Sequence, residues 1–440
     1  MIRHSLKAAG FAVGTLALAA PAMAQTDPST EAMQRQIDAL RAELARMQET
    51  IEAQQTERAS RDASADAASS SASTRELAEE NSAILETLQS TQINGQLEFG
   101  SVFNDWDERD KETAGDMDFG KFNLGFTGGT GKFNYSFQYR FYDGYNFLQH
   151  GWLGYDLTDD DSLKLGLVQA PFGNMDYGYL GWYGTLPYIS GFNDNQNAGL
   201  KWDHSQGAWD TSLAFFKSDQ LGDGNEHYGA NAVGSSAQGN SEENQLAGRV
   251  AYTFGQGTDA TTEINLSAKG GQLYNTRTGD SGDNWQAALG LSGQYGNWST
   301  RLQATTYEYN AENPAESVSG ISDDVIQIGA FGFNYLIPAE AEMYSASLAY
   351  SMDVDWGPVD NLYFYNDFSM IDPSGDYSAI NGGFGDQADP MLNDLGMKVT
   401  AGPYYAWFDI VTNKNGLNYF GSPVDDDWHT SFQTHFGLTF

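Results

Sequence analysis

The sequence predicts an all-β transmembrane barrel of about sixteen antiparallel strands, preceded by an N-terminal α-helical coiled coil. Three observations carry the prediction. In the last eleven residues, Phe432, Thr434, Phe436, Leu438 and Phe440 alternate with Ser431, Gln433, His435, Gly437 and Thr439, giving one greasy and one polar face. From residue 93 onward such alternation recurs, with short turns and long polar connections taking turns between strands. Before it, residues 25–93 hold no glycine, no aromatic residue and only Pro28, a helical composition.

Residues 1–24 read as a secretion signal. Arg3 and Lys7 form a positive start, Ala8 to Ala20 an apolar stretch too short to span a bilayer, and Ala22-Met23-Ala24 a small-x-small cleavage pattern. Cleavage removes no carboxylate, so the mature chain is even more acidic than the formal −37 of the full sequence. Such a field excludes nucleic acid as a partner, because phosphate binding needs clustered Lys and Arg. With no cysteine, disulfides, thiolate metal sites and a thiol nucleophile are excluded too.

Residues 25–92 form the coiled coil and its spacer, expected in the periplasm. Met33, Ile37, Leu40, Leu44, Met47 and Ile51 recur at alternating steps of four and three, the seam of a helical bundle. Ile37, Leu40, Leu44, Met47 and Ile51 are therefore the candidate trimerisation residues. Ala59 to Thr74 is a spacer rich in Ala, Ser and Asp, and Leu77, Asn81, Ile84 and Leu88 repeat the seam briefly.

Residues 93–440 form the barrel. Phe133, Tyr135, Phe137, Tyr139 and Phe141 alternate with Lys132, Asn134, Ser136, Gln138 and Arg140, which sets rings toward lipid and polar groups toward a lumen. Gly128 to Gly131, Ser205 to Gly207, Gly296-Asn297 and Gly402-Pro403 are short turns. Asn104 to Met117, Ala170 to Asn197, Ser218 to Glu243, Asn310 to Asp324, Ile371 to Met391 and Asn413 to Trp428 are long loops. Seventeen candidate strands can be marked, but a barrel with both ends on one side needs an even number. The surplus lies within Val325 to Asp353, where one candidate is expected to be a loop segment folded against the lumen, leaving sixteen.

A barrel of this size encloses water unless something narrows it. The candidate constriction is the loop after Leu163 to Gln169, with Tyr177, Tyr179, Trp182 and Tyr183. Lys121, Lys132, Arg140, Lys164, Arg249, Lys269, Arg301 and Lys398 fall on polar strand faces, and Lys201 joins them as lumen candidates. Either these cations favour anions on the axis, or they pair with carboxylates such as Glu98, Asp203 and Glu263 and only stiffen the wall.

Leu167-Val168-Gln169-Ala170-Pro171-Phe172-Gly173 resembles an element of the phosphate-selective and DcaP-like trimeric porins, and Tyr365-Asn366-Asp367-Phe368-Ser369 is similar to a run in that group. The terminal Phe440 resembles the sorting signal read by the barrel-assembly machinery. The resemblance implies a homotrimer in the outer membrane, beside lipid and lipopolysaccharide, whose loop folds into the pore. It departs from the phosphate-selective pattern in having too sparse a Lys/Arg ladder.

The expected function is passive diffusion of small hydrophilic solutes, with a preference for anions such as dicarboxylates. The alternative is a barrel that anchors a tether to the periplasm or cell wall. No enzyme is expected, since no Ser-His or metal-ligand arrangement is visible. No cofactor is expected either; Asp159-Asp160-Asp161 and Asp425-Asp426-Asp427 are the only candidates for structural calcium and read more simply as solvated loop charge.

Overall fold

The computed structural model describes residues 42–54, 81–82, 90–220, 222, 224–374 and 389–440. The expected signal peptide, the Ala59 to Thr74 spacer, Ile37 and Leu40 lie outside these residues. Residues 42–54 form a helix, α1. On it Leu44, Met47 and Ile51 are each about half exposed, so in the single chain their apolar stripe is uncovered. No helix among the described residues is long and apolar enough to cross a membrane.

The barrel closes from sixteen strands. In chain order they begin with β1 (Gln92–Asn104), β2 (Asp116–Thr130), β3 (Phe133–Phe141), β4 (Asn146–Asp156), β5 (Asp161–Gln169), β6 (Gln196–Gln206) and β7 (Trp209–Ser218). A two-residue strand, β8 (Asn231–Ala232), stands outside the ring. The wall resumes with β9 (Asn240–Phe254), β10 (Ala260–Asn275), β11 (Ser281–Tyr295) and β12 (Trp298–Asn310). A hairpin of β13 (Val325–Ala330) and β14 (Phe333–Pro338) leaves the wall, which continues as β15 (Glu340–Trp356), β16 (Val359–Pro373), β17 (Met391–Ala401), β18 (Tyr404–Lys414) and β19 (His429–Thr439). Neighbouring wall strands pair antiparallel throughout, β7 to β9 and β12 to β15 included.

β1 closes onto β19 with Phe99 opposite Phe436 and Asn104 opposite Ser431. That seam leaves no free sheet edge, which a strand in hydrocarbon could not tolerate. The outward face is apolar: Leu153, Leu246, Phe133 and Leu165 all stand largely exposed. So broad a greasy belt is stable only against lipid.

The surplus strand resolves as the sequence suggests. Within Val325 to Asp353, β15 takes the place in the wall, while β13, β14 and β8 form a separate three-stranded sheet. Ile326, Ile328 and Ile337 of that sheet are fully buried, together with Leu273, Tyr307, Met343, Ile371 and Leu392 from the wall. Each side chain of this size contributes roughly 1.5–3 kcal/mol on full burial. A plug with an apolar core of its own therefore packs against β10, β12 and β15 to β17.

Candidate functional site: the lumen constriction

The connection between β5 and β6, residues 170–195, is an inward-folded loop held by the opposite wall. Its first turn is pinned to the β10–β12 side: the Gly173 N–H donates to Ser267 Oγ at 2.8 Å and the Asn174 N–H to Gln303 Oε1 at 2.8 Å. Arg249 Nε donates to the Gly173 carbonyl at 2.8 Å and Arg301 Nη1 to that of Met175 at 2.9 Å. The loop then crosses to β16 and β17. There the N–H groups of Leu180 and Gly181 donate to the Asp367 carboxylate at 3.1 and 2.6 Å, and the Leu186 N–H to Ser369 Oγ at 2.9 Å. At Gly181 a Cβ would sit 2.3 Å from the Tyr365 ring, so only glycine lets the loop lie this close to the wall.

At its far point the loop reaches the barrel seam. Trp182 stacks on His435 of β19 with ring centres 3.3 Å apart, and its Nε1 donates to Glu98 of β1 at 3.4 Å. Two chambers flank the loop so pinned. One, of about 610 Å³, runs along β1–β3 and β17–β19 and is lined by Tyr177, Tyr179, Trp182, Tyr183, Trp407 and Phe333 among other rings. The other, of about 900 Å³, lies on the β3–β7 side and is polar, with Asp176, Asp194, Asp203 and Asp210 in its lining. Arg140 and Tyr177 line both chambers.

Asp194 is the buried carboxylate of the loop. Its carboxylate accepts from Tyr228 Oη and from Gln196 Nε2, the latter at 2.9 Å. Burial pushes its pKa up to about 7, against the pull of those hydrogen bonds and of the Arg140 charge. Burial likewise raises the phenols of Tyr179, Tyr183 and Tyr188, which stay neutral hydrogen-bonding rings.

The lumen cations separate into classes that the sequence could not resolve. Lys164 and Lys201 lie directly opposite each other in the β5–β6 register, a like-charge pairing relieved by Asp203, which takes Lys164 at 3.0 Å and Lys201 at 3.3 Å. Arg249 pairs with Glu263, and Lys269 with Glu242 in a deeply buried pair. Arg301 lies 3.8 Å from Asp176 and serves mainly as a loop anchor. Lys132 lines neither chamber; it sits in the turn between β2 and β3 and donates to the Leu157 carbonyl at 2.9 Å. Arg140 and Lys398 line the aromatic chamber and take part in no ion pair among the described residues; each instead rests on rings, Arg140 on Tyr228 and Lys398 on Trp407 and Tyr405.

Sequence reasoning missed the loop's carboxylate anchors. Asp367 of β16 stands opposite Asp394 of β17 in the register, with Asp409 on β18, and all three are buried. Their inward place in the strand alternation was the available signal. In the aspartate runs, Asp161 is engaged by Trp202 and His204 and Asp425 by His429, and no group of three or more His, Cys, Asp or Glu placed to hold a metal is found among the described residues.

No protein-family model and no curated protein matches this sequence. Solved structures do match the barrel. The outer membrane channel DcaP of Acinetobacter baumannii aligns over 80% of this chain and 97% of its own, at 10% identity and a TM-score of 0.50. OmpF of Salmonella typhi, in complex with daunomycin, aligns over 80% of this chain and 97% of its own, at 12% identity and a TM-score of 0.52. At such identities the likeness is one of fold alone, that of a closed antiparallel barrel.

Proposed function

We propose that the chain is an outer-membrane channel for passive diffusion of small hydrophilic solutes, with a local preference for anions. The observation that carries this reading is the aromatic chamber beside the pinned loop, where Arg140 and Lys398 are the cations without carboxylate partners among the described residues. In a low-dielectric wall such charges act on the axis, while surface carboxylates more than a Debye length away, ~8 Å at physiological salt, are screened. A solute enters, exchanges part of its hydration for contacts with rings and cations, and leaves down its gradient.

The fold likeness to a structure described as an outer membrane channel supports the location. Self-association as a homotrimer belongs to the same proposal, and the half-exposed Leu44, Met47 and Ile51 stripe, which suits a helical partner, supports it. Conductance of the purified protein in a planar lipid bilayer tests the reading. Open channels with anion-biased reversal potentials are expected; a barrel that never conducts would be an anchor or tether instead.

A further inference from the structure

In the aromatic chamber, cations and rings come as pairs. Arg140 lies 4.5 Å from the centre of the Tyr228 ring, Lys398 4.8 Å from that of Trp407, and Lys121 5.5 Å from that of Trp182. Lys121 is answered by Glu98 at 3.3 Å, which leaves the Arg140 and Lys398 units for an incoming anion. Half of the residues lining this chamber are Phe, Tyr or Trp, and most of those rings are tyrosine. Tyr177 at 44% exposure and Phe333 at 39% present open faces.

A tyrosine wall offers flat apolar faces and a hydroxyl edge together. That combination fits a pyranose ring, whose C–H faces are apolar and whose rim carries hydroxyl groups. The Tyr188, Tyr228 and Tyr405 hydroxyls already have partners, but the tyrosine wall still offers more than faces: a flat aromatic acid would use the faces alone, and a linear dicarboxylate the cations alone. A second ring-and-cation unit then calls for a second ring bearing a charge. The polar chamber has less of this chemistry: Trp152 and Tyr177 are its only aromatic lining residues apart from histidines, Lys164 rests on Trp152 at 5.2 Å but shares Asp203 with Lys201, and Arg140 is common to both chambers.

Resting on the channel reading above, we propose that the aromatic chamber binds short uronic-acid oligosaccharides, with carboxylates taken by Arg140 and Lys398 and pyranose faces by the neighbouring rings. The hairpin joining β13 to β14 shapes the mouth of this site. Its tip residue Phe331 is held at φ +53°, a left-handed conformation unusual for a bulky side chain, and packs against Tyr142, Phe147 and Tyr228.

The test uses the full-length protein in a planar bilayer, with trigalacturonate, maltotriose and benzoate as probes of ion current. Trigalacturonate should half-block the current at about a tenfold lower concentration than maltotriose, equivalent to ~1.4 kcal/mol of preferential binding. Trp407→Ala and Arg140→Gln should each remove most of that excess, and Trp407→Phe should retain it. Channels that conduct but are blocked no more by trigalacturonate than by maltotriose, or are blocked more strongly by benzoate, overturn the uronate site while leaving the channel reading intact. Absence of any conductance overturns the channel reading itself.

Discussion

Arg140 sits over the ring of Tyr228 at 4.5 Å, while the Tyr228 hydroxyl is bonded to Asp194. A wall cation, an aromatic face and a loop carboxylate thus meet where the two chambers join. On the proposed channel reading, local arrangement at this junction outweighs the overall acidity of the chain in what a permeating solute meets.

The first consequence concerns selectivity. Arg140→Ala combined with Lys398→Ala should move the reversal potential toward cations and lower dicarboxylate flux more than flux of a neutral sugar of similar size. Lys164→Ala should move both far less, because Lys164 is held against the Asp203 carboxylate at 3.0 Å. Equal shifts from both changes would show that pairing does not decide which cation acts.

The second concerns pH. Asp194 faces Tyr228, Gln196, Tyr188 and Arg140, with Asp176 nearby, and its pKa stands at about 7. Below that value it is neutral and Arg140 acts unopposed; above it, its negative charge offsets Arg140. Anion preference should therefore fall as pH rises through about 7, and Asp194→Asn should flatten the profile. The stability sign agrees: between the ordinary carboxylate pKa of ~4 and about 7 the folded loop holds a proton the unfolded chain has lost, so loop packing weakens with rising pH in that window.

The third concerns the constriction. Asp367 holds the N–H groups of Leu180 and Gly181, and charge-assisted bonds of this kind contribute roughly 1.5–3 kcal/mol each. Asp367→Ala should loosen the loop, raising single-channel conductance and current noise, with Asp367→Asn intermediate. Unchanged conductance in a folded Asp367→Ala barrel would mean that the Ser267, Gln303 and Ser369 contacts suffice.

The fold was legible because lipid imposes a strict period of two: Phe133, Phe137 and Phe141 announce an outward face that no long-range contact is needed to explain. The break at Val325 to Asp353 was legible for the same reason, since the even-number rule has no use for an extra strand. The constriction loop showed itself by length and by its crowd of rings. Which cations stay unpaired was not legible, because Lys164 meets Asp203 only through the β5–β6 register, and register does not appear in one strand's sequence. The plug's core was missed because Ile326 and Ile328 look like wall positions until β15 is seen to take that place.

A fourth expectation concerns α1. Replacing Leu44 and Ile51 with Asp would place unpaired charge on the apolar stripe and should lower the temperature at which oligomers dissociate in semi-native gels. A dissociation temperature equal to that of the unmodified protein would remove the helix from the assembly.

On the proposed reading, two wall cations without carboxylate partners among the described residues outweigh the strong negative charge of the whole chain. The reversal potential of the purified channel across a tenfold potassium chloride gradient tests it most directly. Anion preference at pH 6 that disappears in the Arg140→Ala, Lys398→Ala double variant is the result predicted. Cation preference in the unmodified channel, left unchanged in the double variant, would contradict it.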